Sequence, residues 1–377
     1  MAEYLTNTTD LTKVASAIRE KGGTSDLLVY PDGFVTAIQA IKPGTELQIV
    51  VSVTSGATVT ATKGSKVVSG TSVDRTCTLT VPEAGTWSVT ATLNGETSDT
   101  KSVTFTDSYA VTFSFVSAVL NNNDWATIKE VSDALQGANY WSIGDCKAVT
   151  LDGTVGHLTL SNYTTYAFII GFNHNASVEG ANRIHFQFAK TALSGGADVC
   201  LCDSSYDDSA PTTGYFSMNS RRANSGGWAS SQMRTNICGT SLTSDPGTIT
   251  AVIPAALRAT LKSVAKYTDN TANGGGSTAS YITATTDYFF LLSEFEVFGS
   301  ITYGNTNEKN KQAQYAYYSA GNSKIKYKYD GTSTTAAWGL RSPDASDSSL
   351  FVYVNNDGTV NSTTSRFSLG FAPGFCV

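Results

Sequence analysis

Residues 338–377 read WGLRSPDASDSSLFVYVNNDGTVNSTTSRFSLGFAPGFCV, and this terminal stretch decides how the rest of the chain is interpreted. It opens with an aromatic residue and an Arg-Ser-Pro turn, continues through an apolar strand at Leu350–Val354, and turns at Asn356-Asp357-Gly358. Asp, Ser, Asn and Thr fill the positions between the apolar residues. Short polar side chains and Tyr on a rigid frame give adaptable hydrogen bonds at low entropic cost, as in antibody paratopes. The pattern predicts a binding face and not a catalytic centre.

The residues expected to contact a ligand are the polar ones between the frame positions. They are Asp344, Ser346, Asp347, Ser349, Tyr353, Asn355, Asn356, Asn361, Thr363 and Ser365. Arg341 stands in a Trp-x-x-Arg-Ser-Pro context and is expected to be a structural residue that ties the turn.

Composition narrows the possible classes of protein. A chain of 377 residues is long enough for two or three domains. Only 15% of the residues are charged, the net charge is −6 and no basic run is present, so a nucleic-acid partner is not expected. The hydrophobic fraction of 41% can fill a core, which argues against disorder. Abundant Gly, Ser, Thr and Asn indicate many short strands joined by polar turns.

No segment of the sequence has the pattern of a membrane-spanning helix or of a signal peptide. No apolar run approaches the ~20 residues that span a bilayer. The start, Met1-Ala2-Glu3-Tyr4, lacks the basic patch and apolar segment of a signal peptide. A protein of this kind that works outside a cell is expected to leave by lysis or inside a particle.

Residues 1–44 are predicted to form a helical attachment or oligomerisation module, with a simple N-terminal cap as the alternative. Asp10 is a candidate N-cap for a first helix, and Phe34–Ile41 is a candidate second helix. Short amphipathic helices are marginal alone, so we expect them to pack on copies of themselves or on a partner. The apolar stripe of the first helix consists of Leu11, Val14, Ala15 and Ile18.

Residues 45–107 change to strand periodicity and predict an all-β immunoglobulin-like or transthyretin-like sandwich that acts as a spacer. Asn94-Gly95 is a hairpin turn signal. Residues 108–124 are interpreted as a connector, in which Tyr109–Leu120 is strand-like. The predicted strands are Leu47–Val51, Ala57–Thr62, Cys77–Val81, Trp87–Ala91 and Ser102–Phe105.

Residues 125–377 mix strands, helices and long loops, which predicts an α+β domain. Its first helix is expected to bury Trp125, Ile128, Val131 and Leu135. The other predicted elements are buried strands at Tyr166–Phe172 and Tyr288–Val297, an alternating strand at Arg183–Phe188, and helices at Met233–Ile237 and Pro254–Lys266.

The frame of the terminal stretch also resembles a known family. Trp338-Gly339-Leu340-Arg341-Ser342-Pro343, a strand ending in Asn-Asp-Gly and a terminal Gly-Phe-x-Pro-x-Phe are similar to a domain of tail proteins from phages and prophages of Gram-positive gut bacteria. That domain is related to the formylglycine-generating-enzyme type of C-type lectin fold, which also displays retroelement-diversified residues. The segments Leu291–Val297 and Leu257–Lys266 stand in the same order as in that family. The resemblance covers residues 125–377.

The resemblance implies a phage tail receptor-binding protein, an adhesin with a C-type-lectin-like ligand-binding domain. Its implied partners are a bacterial cell-surface ligand, glycan or protein, and tail or baseplate proteins bound through the N-terminus. It also implies a homotrimer located in the virion tail, and variation of the terminal stretch by a diversity-generating retroelement. The N-terminal string DLTKVASAIREKGG resembles the start of such tail proteins as well.

We expect no catalytic residue and no cofactor. The only histidines are His157, His174 and His185, which we interpret as surface or satisfied positions, with function most plausible for His174 in its loop. The cysteines are expected to be buried free thiols, and Cys200-x-Cys202 alone is a weak metal motif. Catalytic members of the resembled fold use a cysteine pair, whereas Cys376 stands alone. The Glu-Pro-Asn or Gln-Pro-Asp calcium motif of sugar-binding C-type lectins is missing too, although binding of a structural ion through loop carboxylates stays open.

Two alternatives to an adhesin stay open. A tail depolymerase would need two carboxylates across a glycosidic bond, and Glu294 with Asp203 or Asp207 is the best available pair. Glu294 and Glu296 are, however, expected on one face of a strand in structural roles. The second alternative is a purely structural tail or baseplate protein.

A cluster of tyrosines and lysines precedes the terminal stretch. One interpretation is an exposed face that stacks on sugars or anionic wall polymers; the other is a strand with Ile and Tyr inside and Lys outside. The cluster consists of Tyr315, Tyr317, Tyr318, Tyr327 and Tyr329 with Lys324, Lys326 and Lys328.

Overall fold

The computed structural model describes residues 8–22, 28, 32–40, 47–93, 95–98, 100–105, 111–114, 116–210 and 214–377. The chain divides into two compact units, Met1–Phe115 and Val116–Val377. The fold is mixed α/β, with mostly β-sheets and few helices. Across the described ranges, no helix combines the length and apolar character needed to cross a membrane.

The first unit begins with two helices, α1 (Thr8–Gly22) and α2 (Asp32–Ala40). Asp10 lies inside α1, so the predicted N-cap at Asp10 is wrong. Ala15 and Ile18 pack against Phe34, and the helices therefore bury part of their apolar stripes against each other. The helices were expected to bury their apolar stripes only on copies of themselves or on a partner, and this expectation is wrong for Ala15 and Ile18.

A β-sandwich follows the helices. One sheet has the order β4-β1-β8 and the other β3-β2-β5-β6, with β7 paired to β5. The sheets enclose one apolar cluster in which Trp87, Ile49 and Val59 are fully buried. The strands are β1 (Leu47–Ser52), β2 (Thr58–Lys63), β3 (Lys66–Thr71), β4 (Thr76–Val81), β5 (Gly85–Leu93), β6 (Glu96–Thr97), β7 (Lys101–Phe105) and β8 (Val111–Ser114).

All five strands predicted for this unit are present, and β8 falls within the strand-like segment Tyr109–Leu120, whereas β3 and β6 were not predicted. β8 lies in the expected connector and pairs in parallel with β1, with Val111 opposite Ile49. Asn94 of the predicted hairpin turn lies outside the described residues, and Gly95 stands between β5 and β6.

The second unit starts at Val116, before the expected boundary at residue 125. Helix α3 (Trp125–Asp133) is capped by Asp124, whose Oδ1 accepts the Thr127 N–H at 2.8 Å. Trp125, Ile128 and Val131 are buried as predicted. Leu135 is not, because it lies beyond the end of α3 with a positive φ of 58° and is 53% exposed.

A five-stranded sheet of order β15-β21-β11-β10-β9 forms the centre of this unit. Smaller sheets have the orders β12-β16-β17, β13-β14 and β18-β19-β20. The strands are β9 (Cys146–Val155), β10 (Leu158–Phe172), β11 (Ile184–Lys190), β12 (Val199–Cys200), β13 (Val264–Asp269), β14 (Ile282–Asp287), β15 (Phe289–Phe290), β16 (Lys326–Lys328), β17 (Gly331–Ala336), β18 (Trp338–Pro343), β19 (Leu350–Val354), β20 (Val360–Thr364) and β21 (Gly374–Cys376).

The helices after α3 are short. They are α4 (Gly137–Tyr140), α5 (Ala176–Glu179), a π-helix (Met233–Cys238), α6 (Ile249–Val252), α7 (Ala255–Arg258), α8 (Glu294–Phe298) and α9 (Ala316–Ser319). Single 3₁₀ turns occur at Leu120–Asn122, Ala279–Tyr281 and Glu308–Asn310. The predicted short helix at Met233–Ile237 is thus present in π-helical form.

Two predicted elements in this unit are wrong. Only Ala255–Arg258 of the predicted helix Pro254–Lys266 is helical, because Val264 already begins β13 and pairs with Asp287. The predicted strand Tyr288–Val297 ends at Phe290, and Ser293 starts α8. Ser293 and Glu296 form a capping box, whose Ser-x-x-Glu signature is present in the sequence.

Replacing Trp87 tests the separation of the two units. Trp87→Ala empties the sandwich core and should cost about 3–5 kcal/mol of local stability. Hydrogen exchange followed by mass spectrometry should then show faster exchange across 47–105, with 116–377 unchanged. Val67→Ala is the matched control, since Val67 is 62% exposed in the same sandwich. Equal acceleration in both units would contradict two separate cores.

Candidate functional site

The terminal stretch folds as the sheet β18-β19-β20 followed by β21. Tyr353 of β19 lies opposite Asn361 of β20, and Phe351 opposite Thr363. The turn between the two strands is closed by Asn355, whose N–H donates to the Thr359 carbonyl at 2.8 Å. The strand predicted at Leu350–Val354 and the turn after it are confirmed.

Aspartates shape the turns of this stretch. In each case one carboxylate oxygen accepts the backbone N–H and the hydroxyl of the residue two positions later, which is an Asx turn. The N–H to Oδ1 distances are 2.8 Å for Ser346 to Asp344, 2.7 Å for Ser349 to Asp347 and 2.9 Å for Thr359 to Asp357. These carboxylates therefore stabilise the turns. The Asp-x-Ser/Thr pattern in the sequence could have indicated this role.

Asn224 holds the first of these turns from a distant segment. Its side chain is fully buried, and Nδ2 donates to the carbonyls of Asp344 at 3.1 Å and Leu350 at 3.0 Å. Its Oδ1 accepts the Asn273 N–H at 2.9 Å. Sequence reasoning missed Asn224, because nothing in its neighbourhood shows that it reaches a turn more than a hundred residues later.

The ten predicted ligand residues separate by exposure. Ser346 and Asn356 are exposed, and the half-buried ones are Asp347, Tyr353, Asn355, Asn361 and Thr363. Asp344, Ser349 and Ser365 are buried. Ser365 illustrates the buried kind, since its hydroxyl donates to the Arg221 carbonyl at 2.8 Å and accepts the Ala223 N–H at 3.1 Å. We define the seven accessible residues as the terminal face, which the three buried ones support.

Arg341 anchors the stretch to the core. It is fully buried, and its guanidinium meets the Glu296 carboxylate in a bidentate pair, with Nη2 2.9 Å from Oε1. Nε also donates to Thr268 Oγ1 at 2.8 Å, and Nη1 to the Leu291 carbonyl at 2.8 Å. The predicted structural role of Arg341 is confirmed, but the predicted Arg-Ser-Pro turn is wrong, because Arg341 lies in strand β18 (Trp338–Pro343) and joins several elements from there.

Lys266 completes a buried charge cluster around Glu296. Its Nζ lies 2.9 Å from Glu296 Oε1, 2.7 Å from Glu179 Oε2 and 2.8 Å from the Tyr315 hydroxyl. Burial alone would raise the pKa of Glu296, but the charges of Arg341 and Lys266 hold that pKa well below its usual range. Two cations thus balance two carboxylates inside the core.

The histidines near this cluster are structural. His174 stacks on Tyr315 with ring centroids 3.8 Å apart, and burial, reinforced by Lys266, lowers the pKa of His174 to about 3. His185 is fully buried, and its Nδ1 contacts the Tyr315 hydroxyl at 3.1 Å. Both rings are neutral at physiological pH. His157 alone is exposed, in the turn between β9 and β10.

One group of potential metal ligands occurs among the described residues, formed by His174, Glu179 and Glu296. The Lys266 ammonium already lies between the two carboxylates, at 2.7 and 2.9 Å. A metal ion there would meet that positive charge and the Arg341 guanidinium. The group therefore does not fit a cation site.

Glu294 and Asp203, two of the carboxylates considered for catalysis, are buried and accept hydrogen bonds within the protein. Glu294 is fully buried, and its carboxylate accepts the N–H groups of Tyr303 at 3.3 Å and Gly304 at 2.8 Å. Asp203 is 5% exposed and accepts the Tyr215 N–H at 2.9 Å and the Ser368 hydroxyl at 2.7 Å. The structural interpretation of Glu294 and Glu296 is confirmed, but on helix α8 and not on a strand.

The remaining candidates, the cysteines and three of the clustered tyrosines, are buried in the core. All six cysteines are free and buried, as predicted, and the sulfurs of Cys200 and Cys202 lie 4.0 Å apart. In the tyrosine and lysine cluster, Tyr315, Tyr317 and Tyr318 are buried, which excludes an exposed face for these three.

Lys326 is the exception to the expectation that lysines point outward. It is 1% exposed, lies 5.0 Å from the Trp338 ring centroid, and is 3.8 Å from Asp198 Oδ2. An aromatic face and a nearby carboxylate therefore hold this ammonium inside.

Replacing Arg341 tests the buried cluster. Arg341→Met leaves Glu296 with one cation fewer in a dry site and should cost about 3–5 kcal/mol of unfolding free energy. The measurement is chemical unfolding of the second unit. Arg222→Met, at an exposed arginine, should change stability by less than about 0.5 kcal/mol. A loss below about 1 kcal/mol for Arg341→Met would contradict the anchoring role.

Glu308 predicts a pH dependence. Burial raises its pKa to about 7, although the Asp269 N–H and the Ser342 hydroxyl donate to it. Because this folded pKa lies above the unfolded one, the folded state binds more protons, and the Glu308 contribution falls as pH rises from about 4.5 to about 7. The change is worth about 3 kcal/mol.

Unfolding free energy measured from pH 4.5 to pH 8 checks this sign. Subtracting the Glu308→Gln curve from the wild-type curve should give a difference that declines over that window. Glu130→Gln, at an exposed glutamate, should leave the wild-type profile unchanged. A flat or rising difference would contradict the assignment.

Comparison with known proteins adds one finding. Residues 213–377 match a family described as Domain of unknown function (DUF6273). The match includes the whole terminal stretch and Asn224, Lys266, Glu296 and Arg341, whereas Glu179 and the sandwich lie outside it. No curated protein matches the chain.

Proposed function

We propose that this chain is a phage tail receptor-binding protein, an adhesin that recognises a bacterial surface ligand through the terminal face. The observation that carries the proposal is the separation within one stretch between a buried frame and accessible polar residues. Arg341, Asn224 and the Asx turns fix the backbone, while Tyr353, Asn356 and their neighbours project from it. A preorganised polar face of this kind binds with little loss of conformational entropy.

The finer fold assignments belong to the same proposal. The sandwich is interpreted as immunoglobulin-like and as a spacer, and the second unit as C-type-lectin-like. Support comes from the two-sheet apolar core around Trp87 and from a terminal strand, β21, that lies inside the main sheet. The N-terminal helices would attach to tail or baseplate proteins and help form a homotrimer. Val14 and Val35, which are 48% and 52% exposed, are available for that contact.

Binding is favoured over glycan cleavage by the state of the carboxylates. Glu294 and Asp203 are enclosed and hydrogen-bonded to backbone N–H groups. Asp207, the other possible partner of Glu294, is half-buried and accepts the Ser209 N–H at 2.8 Å, so neither pair combines two free carboxylates. General acid–base catalysis needs a carboxylate that reaches the substrate. The virion tail is the proposed location, and diversification by a retroelement is the proposed source of variation in the terminal face. A partial copy of the coding stretch beside the gene, differing at adenines, would support that last point.

Binding to intact cells tests the proposal. Removing residues 338–377 would also remove Arg341 and β21 from the core, so point variants are the suitable tool. Fluorescently labelled chain is sedimented with a panel of Gram-positive gut bacteria. Tyr353→Ala combined with Asn361→Ala should weaken saturable binding by about thirtyfold, as for loss of an interface hot spot.

Thr150→Ala with Thr164→Ala, an exposed cross-strand pair on β9 and β10, is the matched control and should bind as the wild type does. Unchanged melting temperatures must accompany both variants. Equal binding of both variants would place the site elsewhere, and no binding across the panel would favour a purely structural tail protein.

A further inference from the structure

A concave site lies outside the terminal face. A pocket of about 330 Å³ opens beside the turn between β9 and β10. Its lining includes His157, Tyr215, Ser220, Gln232, Asn236 and Ile237, none of which belongs to the ten predicted ligand residues. The volume falls at the lower end of the ~300–1,000 Å³ typical of ligand pockets, which suits a single sugar ring.

One wall of the pocket is aromatic. Tyr215 is 46% exposed, and its ring contacts that of His157 with centroids 3.5 Å apart. Ile237 is buried beneath them. An exposed ring in a concave site is a surface for the apolar C–H face of a pyranose, which packs on aromatic rings while its hydroxyls point outward.

Two exposed amides, those of Gln232 and Asn236, also line the pocket, and each accepts one hydrogen bond. The Ser220 N–H donates to Gln232 Oε1 at 2.6 Å, and the Thr235 hydroxyl donates to Asn236 Oδ1 at 2.9 Å. Each contact occupies the carbonyl oxygen of the amide. Within the described part of the chain no protein acceptor pairs with the Gln232 or Asn236 NH₂ group. Two amide donors therefore remain for hydroxyl oxygens of a ligand.

The described lining residues of the pocket include no Asp, Glu, Lys or Arg. The absence of a carboxylate there argues against glycosidic cleavage, which uses two of them. It also argues against a cationic ligand, and the absence of Lys and Arg argues against an anionic one. A neutral, hydroxyl-rich ligand with an apolar face fits the aromatic ring and the amides.

The backbone at Gly156 packs closely against Tyr215 at the edge of the pocket. Gly156 has a φ of +57°, and a Cβ at this position would lie 2.7 Å from Cβ of Tyr215. Asp203 accepts the Tyr215 N–H, which fixes the residue that carries the ring. Asn236 lies on the π-helix Met233–Cys238, a type of element that often occurs at functional sites.

We propose that this pocket binds a neutral pyranose unit, with Tyr215 as the stacking platform and the Gln232 and Asn236 amides as hydroxyl donors. The site is independent of the proposed function, because it shares no residue with the terminal face. It would remain a sugar site if the terminal face bound a protein or nothing.

Saturation-transfer-difference NMR on the full chain tests the pocket without cells. The probes are the methyl glycosides of glucose, galactose, mannose and N-acetylglucosamine, each titrated through the millimolar range. At least one should show saturable transfer to its ring protons. Tyr215→Ala and Gln232→Ala should each weaken that binding by about tenfold or more, as expected for loss of a central contact.

Tyr140→Ala is the matched control, since Tyr140 is a 42% exposed tyrosine of the same unit outside this pocket. It should bind as the wild type does, and all variants must keep the wild-type melting temperature. Tyr215→Phe, which keeps the ring, should retain binding. Absence of transfer for all four glycosides, or equal transfer in Tyr215→Ala and wild type, would overturn the proposal, whatever the cell-binding result.

Discussion

The buried ion pair between Arg341 and Glu296 is the interaction on which the second unit depends. Arg341 belongs to β18 and Glu296 to α8, while Lys266 of β13 and Glu179 of α5 complete the cluster. Removing four charged groups from water costs several kcal/mol for each ion, so the arrangement is stable only when pairing and hydrogen bonds are complete. Here the remaining donors and acceptors are satisfied by Thr268, Leu291 and Ser293.

This dependence explains how the terminal stretch can be at once rigid and polar. Its frame residues enter the core, with Arg341 in the charge cluster and Phe375 in the main sheet. The Asx turns at Asp344, Asp347 and Asp357 satisfy local backbone groups, and Asp347 is the one of these three that also belongs to the terminal face. The replacement of Tyr353 or Asn356, which take no part in these turns, should therefore disturb few internal contacts. Such a division suits a surface that is selected for binding and not for stability.

Local signals made part of this fold predictable. The short apolar run at Leu350–Val354, bounded by polar turn residues, identifies a strand. Alternation identifies the sandwich strands, because side chains on a pleated sheet alternate between core and solvent. Arg341 was identified as structural from its aromatic and proline neighbours. α8 was missed because the apolar run Tyr288–Leu292 was extended through Val297 as one strand, and an apolar run alone does not distinguish a strand from a buried helix. The capping box at Ser293 would have decided between them.

The rest depends on contacts between distant residues. Lys326 was expected outside, but Asp198 and Trp338 hold it inside. Asn224 and the walls of the pocket around Tyr215 come from segments that only the fold brings together. The burial of three of the ten predicted ligand residues likewise follows from chains that cross over the stretch, such as the one at Arg221.

Under the proposed function, residues 338–377 contain a frame needed for folding and a face needed only for binding. This division is tested by a complete single-substitution scan of 338–377, sorted both for protease resistance and for adhesion to a bacterium that the wild type binds. Substitutions at Trp338, Arg341, Asp344 and Ser365 should lose both properties. Substitutions at Ser346, Tyr353, Asn356 and Asn361 should keep resistance and lose adhesion. Equal sensitivity of both sets in both sorts, or adhesion that survives throughout the face, would contradict the division into frame and face.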